Sequence, residues 1–304
     1  MRSGRCAKAP GRAIMRVLSL VNQKGGCGKT TAAINLGGAL TAQGERCLIV
    51  DLDPQAHATL GLGCDGDAGP TLRDVLLDDL SPRRALVEAP GDLVLLPASA
   101  ELAEFEEVSE RQLHPTQVLR EALREVANDF DYALLDCPAR ADSILTANAL
   151  AASSVCLLVV EAGAFALQGA VRALRLFDAM GERQDSRFDL RILGTMFDRR
   201  TRFARELLVA LQARFGESMF DTVIRQSVRL REAAAHGVPV NVLDRGSRAA
   251  SDFQALAGEV RSIGLEEGVE LSAEAAYEVP HETPAPLTPP GSPAGGPWSV
   301  GVPR

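Results

Sequence analysis

The chain has 304 residues, 46% of them hydrophobic, with a formal net charge of -8. That is enough apolar material for one sizeable core. The acidic balance argues against wholesale coating of nucleic acid, though not against a local basic patch felt within a Debye length.

The six cysteines (Cys6, Cys27, Cys47, Cys64, Cys137, Cys156) are scattered and form no C-x-x-C pair. They read as reduced, mostly buried thiols of a cytoplasmic protein, not as a disulfide or metal framework. No apolar run reaches the roughly 18 residues of a membrane span. Residues 1–14 carry Arg2, Arg5, Lys8 and Arg12 and no acid, and a second methionine, Met15, stands directly before the first strand. They are expected to be a disordered extension, or an artefact of an early start codon. Arg16 and Lys24 break the apolar stretch that follows, which argues against a signal peptide.

Residues 16–21 read as a strand, 23–28 as a glycine-rich loop and 29–43 as a helix. A second strand at 46–50 runs into Asp51-Leu52-Asp53-Pro54-Gln55. Further strands are expected at 93–96, 132–135, 155–160 and 192–196, separated by helical patterns at 99–108, 116–128, 143–151 and 167–180. Residues 201–215 form another helix, and 247–263 close the fold. Near-continuous apolar strands alternating with helices predict one α/β domain over 15–264, a mostly parallel twisted sheet with helices on both faces. From Leu265 onward, Glu266, Glu267, Glu270 and Glu274 lead into a stretch rich in Pro, Gly and Ser that ends at Arg304. It lacks apolar periodicity and is expected to be a disordered tail.

Only three of the 32 basic residues are lysine, and two of them, Lys24 and Lys29, lie in the loop Asn22-Gln23-Lys24-Gly25-Gly26-Cys27-Gly28-Lys29-Thr30-Thr31. A lysine is a compact ammonium on a thin stem, able to reach a phosphate through a tight loop where the arginine fork is too wide. A glycine-rich loop between a strand and a helix is the context of a phosphate-binding loop. Its backbone N–H groups form an anion nest, and the helix N-terminus adds positive potential. Gly25, Gly26 and Gly28 let the backbone wrap closely, with Cys27 between them. Lys29 is expected on the β- and γ-phosphates, the Thr30 hydroxyl on Mg²⁺ and Thr31 at the α-phosphate.

The ordinary pattern places glycine where this chain has Gln23, and the chain has Lys24 next to it. K-G-G-x-G-K-T-T resembles the deviant Walker motif of the ParA/MinD family of ATPases. The resemblance implies a P-loop NTPase fold, ATP and Mg²⁺ as cofactors, and a homodimer that sandwiches ATP. Lys24 matches the lysine that crosses this dimer to the partner's phosphates. Asp51-Leu52-Asp53-Pro54-Gln55 resembles the family's D-x-D-P-Q, in which Asp53 matches the carboxylate orienting the attacking water and Asp51 supports the loop. Tyr132-Ala133-Leu134-Leu135-Asp136 is an apolar strand ending in Asp, a Walker B pattern, so Asp136 is expected to hold Mg²⁺. A strand-end carboxylate also serves as a helix cap, but these strands end at one sheet edge, where α/β folds bind ligands.

The resemblance extends over residues 15–263. Thr195-Met196-Phe197-Asp198-Arg199-Arg200-Thr201 is similar to the T-M-x-D-x-R-T of chromosome-partitioning ParA proteins, and residues 222–230 are similar to their T-V-I-P-R-N-V-R-L. It implies that Met196 borders the adenine and that Arg200 and Arg229 bind DNA backbone without sequence preference. A solvated arginine-rich face is the plainer reading of those arginines. Departures stand at Arg225-Gln226-Ser227 (P-R-N in the family), Ala56-His57 (Gly-Asn), Ala139-Arg140 (Pro-Ser) and Gly163, which is usually acidic.

The implied function is an ATP-dependent dimerising switch for chromosome or plasmid partitioning. It is nucleoid-associated in its ATP state, stimulated by a ParB-like partner, and uses no membrane. The alternatives are an orphan ParA-like ATPase positioning a protein cargo and a MinD-like division-site regulator. The second calls for a terminal basic amphipathic helix, which the Pro-rich tail does not offer. An iron–sulfur ATPase calls for paired cysteines, and Cys137 has no evident companion.

Overall fold

The computed structural model describes residues 15–109, 115–140, 142–184 and 188–263. The expected extension at 1–14 and tail at 265–304 lie outside the described residues. Among the described residues seven strands form one sheet: β1 (Arg16–Val21), β2 (Cys47–Asp51), β3 (Val87–Ala89), β4 (Leu93–Leu96), β5 (Tyr132–Asp136), β6 (Val155–Glu161) and β7 (Asp189–Thr195). Their order across the sheet is β3-β4-β2-β5-β1-β6-β7. All neighbours run parallel except the edge pair β3–β4. This is the α/β class expected from the alternation of apolar strands with helices.

The central strands β1, β2, β5 and β6 are apolar at nearly every position because their side chains enter one of two cores. Val17 and Val21 of β1 point into one cluster and Leu18 and Leu20 into the other. The same two-residue period divides Leu48 and Val50 from Cys47 and Ile49 in β2. Both sheet faces are therefore dry, and ligand chemistry is left to the strand ends.

Helix α1 (Lys29–Ala42) follows β1 and is buried on almost every side. It packs against α2 (His57–Gly61), α11 (Val240–Leu243) and α12 (Arg248–Ser262). The opposite face is covered by α6 (Val118–Val126), α7 (Ile144–Ala152), α8 (Ala166–Gln184) and α9 (Arg202–Phe215), whose apolar residues join the other cluster. Ser143, Thr201 and Ser247 cap α7, α9 and α12 through side-chain oxygens that accept from the first-turn backbone N–H groups. The expected helix at 99–108 begins as a 3-10 turn at Ala100–Leu102 before α5 (Ala103–Val108). Helices α3 (Leu72–Leu77), α4 (Pro82–Ala85) and α10 (Val228–Ala235) complete the layers. No helix among the described residues is long and apolar enough to cross a membrane.

Candidate nucleotide site

Parallel registry brings the signature residues together. Leu20 of β1 and Asp51 of β2 both lie level with Asp136 of β5, so three consecutive strands end at one height. The loop after β1 crosses this edge and turns into α1. Gly26 and Gly28 hold it with φ of 75° and 96°, the left-handed region that costs other residues about 1–2 kcal/mol. Gly28 has no side chain to cap α1, and the first turn of α1 contains no acid. The positive end of a 14-residue helix is thus left for an external anion.

Lys29 is only 7% exposed. Its ammonium folds back over the loop and donates to the carbonyls of Asn22 and Lys24, both at 3.4 Å. From β7, the Thr195 hydroxyl donates to the Cys27 carbonyl at 2.7 Å and fixes the loop from the far side. Gly25, Gly26, Cys27 and Gly28 form the loop that leads into α1, and Lys29, Thr30 and Thr31 are the first residues of that helix.

Asp136 is fully buried, and neither of its carboxylate oxygens has a hydrogen-bond partner among the described residues. Burial pushes its pKa up to about 8, with the neighbouring Asp51 adding to the rise. The Thr30 hydroxyl and Lys29 pull the other way; Thr30 stands near enough to favour the ionised form without meeting hydrogen-bond geometry. Asp51 is equally buried but well satisfied, accepting from the Thr59 N–H and hydroxyl, each at 2.8 Å, and from the Asp53 N–H at 3.2 Å. Burial raises its pKa to about 6.

An orphaned buried carboxylate beside a hydroxyl at a helix N-terminus fits Mg²⁺ bound together with nucleotide phosphates. Among the described residues no three His, Cys, Asp or Glu side chains converge to hold a metal alone. Thr30 and Asp136 are the side chains that could hold such an ion, with phosphate oxygens needed to complete its shell.

Asp53 sits half-buried in the loop after β2, where its Oδ1 accepts from the Gln55 N–H at 3.0 Å. Ala56, one of the departures, has φ of 53°, in the left-handed region that favours glycine, and stands at the N-cap of α2.

Lys24 is 59% exposed and ion-paired with Glu161, at the end of β6. Sequence reasoning did not anticipate this partner, which lies 137 residues away. The contact puts a carboxylate next to the loop, two residues before Gly163.

Beside Gly28 opens a cavity of about 240 Å³, lined by Thr31, Met196, Arg225, Gln226 and Arg231, among others. A Cβ added at Gly28 would lie 3.6 Å from the Met196 Cε. Met196 itself has φ of 58° and is partly exposed over the cavity. The two arginines matched to DNA contacts lie on the surface and carry local partners. Arg200, 90% exposed, forks onto Asp198 at 2.8–2.9 Å. Arg229 pairs with Glu232 at 2.7 Å and with Asp244 at 3.4 Å.

The family model described as an AAA domain matches residues 15–190. The chain is 37% identical over 254 residues to the chromosome partitioning protein ParA of Caulobacter vibrioides, covering 82% of this chain and 94% of that protein. It is 40% identical over 252 residues to the chromosome-partitioning ATPase Soj of Thermus thermophilus, covering 82% and 96%. The chain belongs to the ParA/MinD family of ATPases. The same fold occurs in the cobyrinic acid a,c-diamide synthase of Mycobacterium smegmatis with bound ATP analog and magnesium, at a TM-score of 0.71 and 31% identity over 82% of this chain and 95% of that one. As a ParA/MinD-type ATPase this chain hydrolyses ATP, and the edge formed by β1, β2 and β5 has the loop, hydroxyl and carboxylate that Mg·ATP needs.

Proposed function

We propose that this ATPase is a partitioning switch: two copies close on ATP, and the closed dimer holds nonspecific DNA until a ParB-like partner stimulates hydrolysis. The observation that carries the reading is the placement of Lys24. It stands exposed on the phosphate loop with its ammonium turned to Glu161, while Lys29 alone occupies the interior of the loop.

In this reading Lys29 binds the β- and γ-phosphates, the N–H groups of 25–31 orient them, and Thr30 and Asp136 hold the Mg²⁺. The ion supplies charge neutralisation at the β- and γ-oxygens. Asp53 orients the attacking water, and Lys24 leaves Glu161 to meet the phosphates of the second copy. That step is comparable to an arginine finger given in trans, worth about 10³–10⁵ in rate in other NTPases.

Two large apolar side chains favour a second copy as the cover of this edge. Phe165, in the loop after β6, is 78% exposed, and Leu60, on α2 beyond the Asp53 loop, is 61% exposed. The DNA reading rests on Arg200 and Arg229 at the starts of α9 and α10, close to Arg199, Arg202, Arg205 and Arg231. These ion pairs lie at the surface, so a phosphate can compete for the guanidinium at little cost.

The test is retention on duplex DNA with Mg·ATP against Mg·ADP, at two salt concentrations. Retention with ATP alone, falling steeply with salt, is expected; equal retention in both nucleotide states defeats the switch.

A further inference from the structure

The wall of the cavity beside Gly28 carries an arrangement that the phosphate chemistry does not use. Residues 224–227 are sewn to the end of β7: the Ile224 N–H donates to the Gly194 carbonyl at 2.8 Å, Phe197 N–H to Ile224 at 3.2 Å, and Gln226 N–H to Phe197 at 3.3 Å. From the other side the buried Asp252 of α12 takes hold of Arg225. Its carboxylate accepts from the Arg225 backbone N–H at 3.1 Å, from Nε at 2.9 Å and from a terminal guanidinium nitrogen at 2.5 Å. That nitrogen also reaches the Arg248 carbonyl at 3.3 Å. The neighbouring Gln226 is exposed to the cavity, and its carboxamide makes no hydrogen bond among the described residues.

These side chains differ in the base edge they suit. A carboxamide offers one acceptor and one donor, the complement of adenine N6 and N7. A guanidinium offers two donors, the complement of guanine O6 and N7. We infer that Gln226 selects adenine over guanine at this site, and that Asp252 supports the choice by tying down Arg225, the guanine-suited side chain on the same wall. The inference rests on the base occupying this cavity. Gln226 is the residue that touches the base; Asp252 is a positioning residue that acts through Arg225. The buried carboxylate engages three donors of one arginine, a hold firmer than an exposed pair gives.

The test is calorimetric titration of the full chain with the imido analogues of ATP and GTP in Mg²⁺, which reads the ratio of the two affinities without turnover. The unsubstituted protein is expected to prefer the ATP analogue by about tenfold or more. Gln226→Ala should bring the ratio close to one. Asp252→Ala should shift it toward the GTP analogue, and adding Arg225→Ala to that variant should cancel the shift, whereas a merely structural role would weaken both nucleotides together. An unsubstituted protein without preference, or Gln226→Ala with an unchanged ratio, overturns the inference.

Ala234→Trp, which fills the same cavity from α10, separates the two levels. If it leaves ATP-analogue affinity intact, the base lies elsewhere and both readings fall. If it blocks binding while Gln226→Ala keeps the ratio, only the selection by Gln226 falls. Circular dichroism of each variant establishes that it is folded, and Gln226→Ala, an exposed polar change, carries the decision if Asp252→Ala is not.

Discussion

Lys24 and Lys29 lie five residues apart on one loop, yet their surroundings assign them opposite tasks. Lys29 is buried against the loop carbonyls, so its charge is available only to something inside the loop. Lys29→Ala should weaken Mg·ATP binding by about tenfold or more, since it removes a charge-assisted contact to phosphate. Lys24→Ala should leave the affinity of the isolated chain within about threefold, because its exposed pair with Glu161 contributes little. It should cut steady-state hydrolysis by about 10³ if the lysine acts across a dimer. Calorimetry and phosphate release measure both, and identical behaviour of the two variants would remove the case for action in trans. Gly237 matters in a different way. It has φ of 67°, and a Cβ there would meet the Gly63 backbone at 2.8 Å. Gly237→Ala should therefore cost about 2–3 kcal/mol, from a left-handed alanine and a clash with backbone that cannot turn aside. Thermal unfolding without nucleotide reads this directly.

Strand registry makes the chemistry of the carboxylates collective. Asp51 and Asp136 face each other across β2 and β5, and both pKa values are raised, to about 6 and about 8. In the unfolded chain both groups titrate near 4. Between those values the folded state binds more protons than the unfolded one, so stability without nucleotide should fall as pH rises from about 4 to about 8. Asp136→Asn should flatten the upper part of this slope. Mg·ATP should stabilise the protein more at pH 8 than at pH 6, because the cation binds the ionised form. Thermal melts across pH, with and without Mg·ATP, test both signs, and a melting temperature that rises with pH in the nucleotide-free protein would contradict the assignment. The long elements were legible in the sequence for the same reason that registry is strict: strands buried on both faces read as unbroken apolar runs, and α8, α9 and α12 are long enough to show their period. Helices α2, α3 and α4 and the three-residue β3 were not, because such short pieces are held by tertiary contacts and turn chemistry. Of the site, the residues joined by local sequence were legible. Glu161 beside Lys24, Thr195 on the Cys27 carbonyl and Asp252 on Arg225 were not, because only the fold brings them together.

At the scale of the whole molecule, the proposed dimer calls for one edge to be covered by a second copy. The phosphate loop, the exposed Lys24, Phe165 and Leu60 all follow the C-terminal ends of strands, whereas Arg200 lies just before the cap of α9 and Arg229 in the first turn of α10. Covering exposed aromatic and aliphatic side chains is favourable by about 25 cal/mol per Å² of apolar area, which would favour the proposed pairing of this edge with a second copy. A symmetric pairing there would bring each Lys24 toward the other copy's loop, and nucleotide in both loops would then be part of the interface. Phe165→Asp should separate the two levels of function. It lies outside the phosphate loop, so ATP affinity of the isolated chain should change by less than about threefold, as for a surface substitution. Dimer formation with a non-hydrolysable ATP analogue, followed by light scattering, should be lost at concentrations where the unsubstituted protein is fully dimeric. DNA retention with ATP should be lost with it, because arginines on a single copy make too few phosphate contacts to hold at moderate salt. If Phe165→Asp remains monomeric yet binds DNA as tightly as before, the switch does not run through the dimer. If it still dimerises, the second copy docks on another face and Lys24 must act within its own chain.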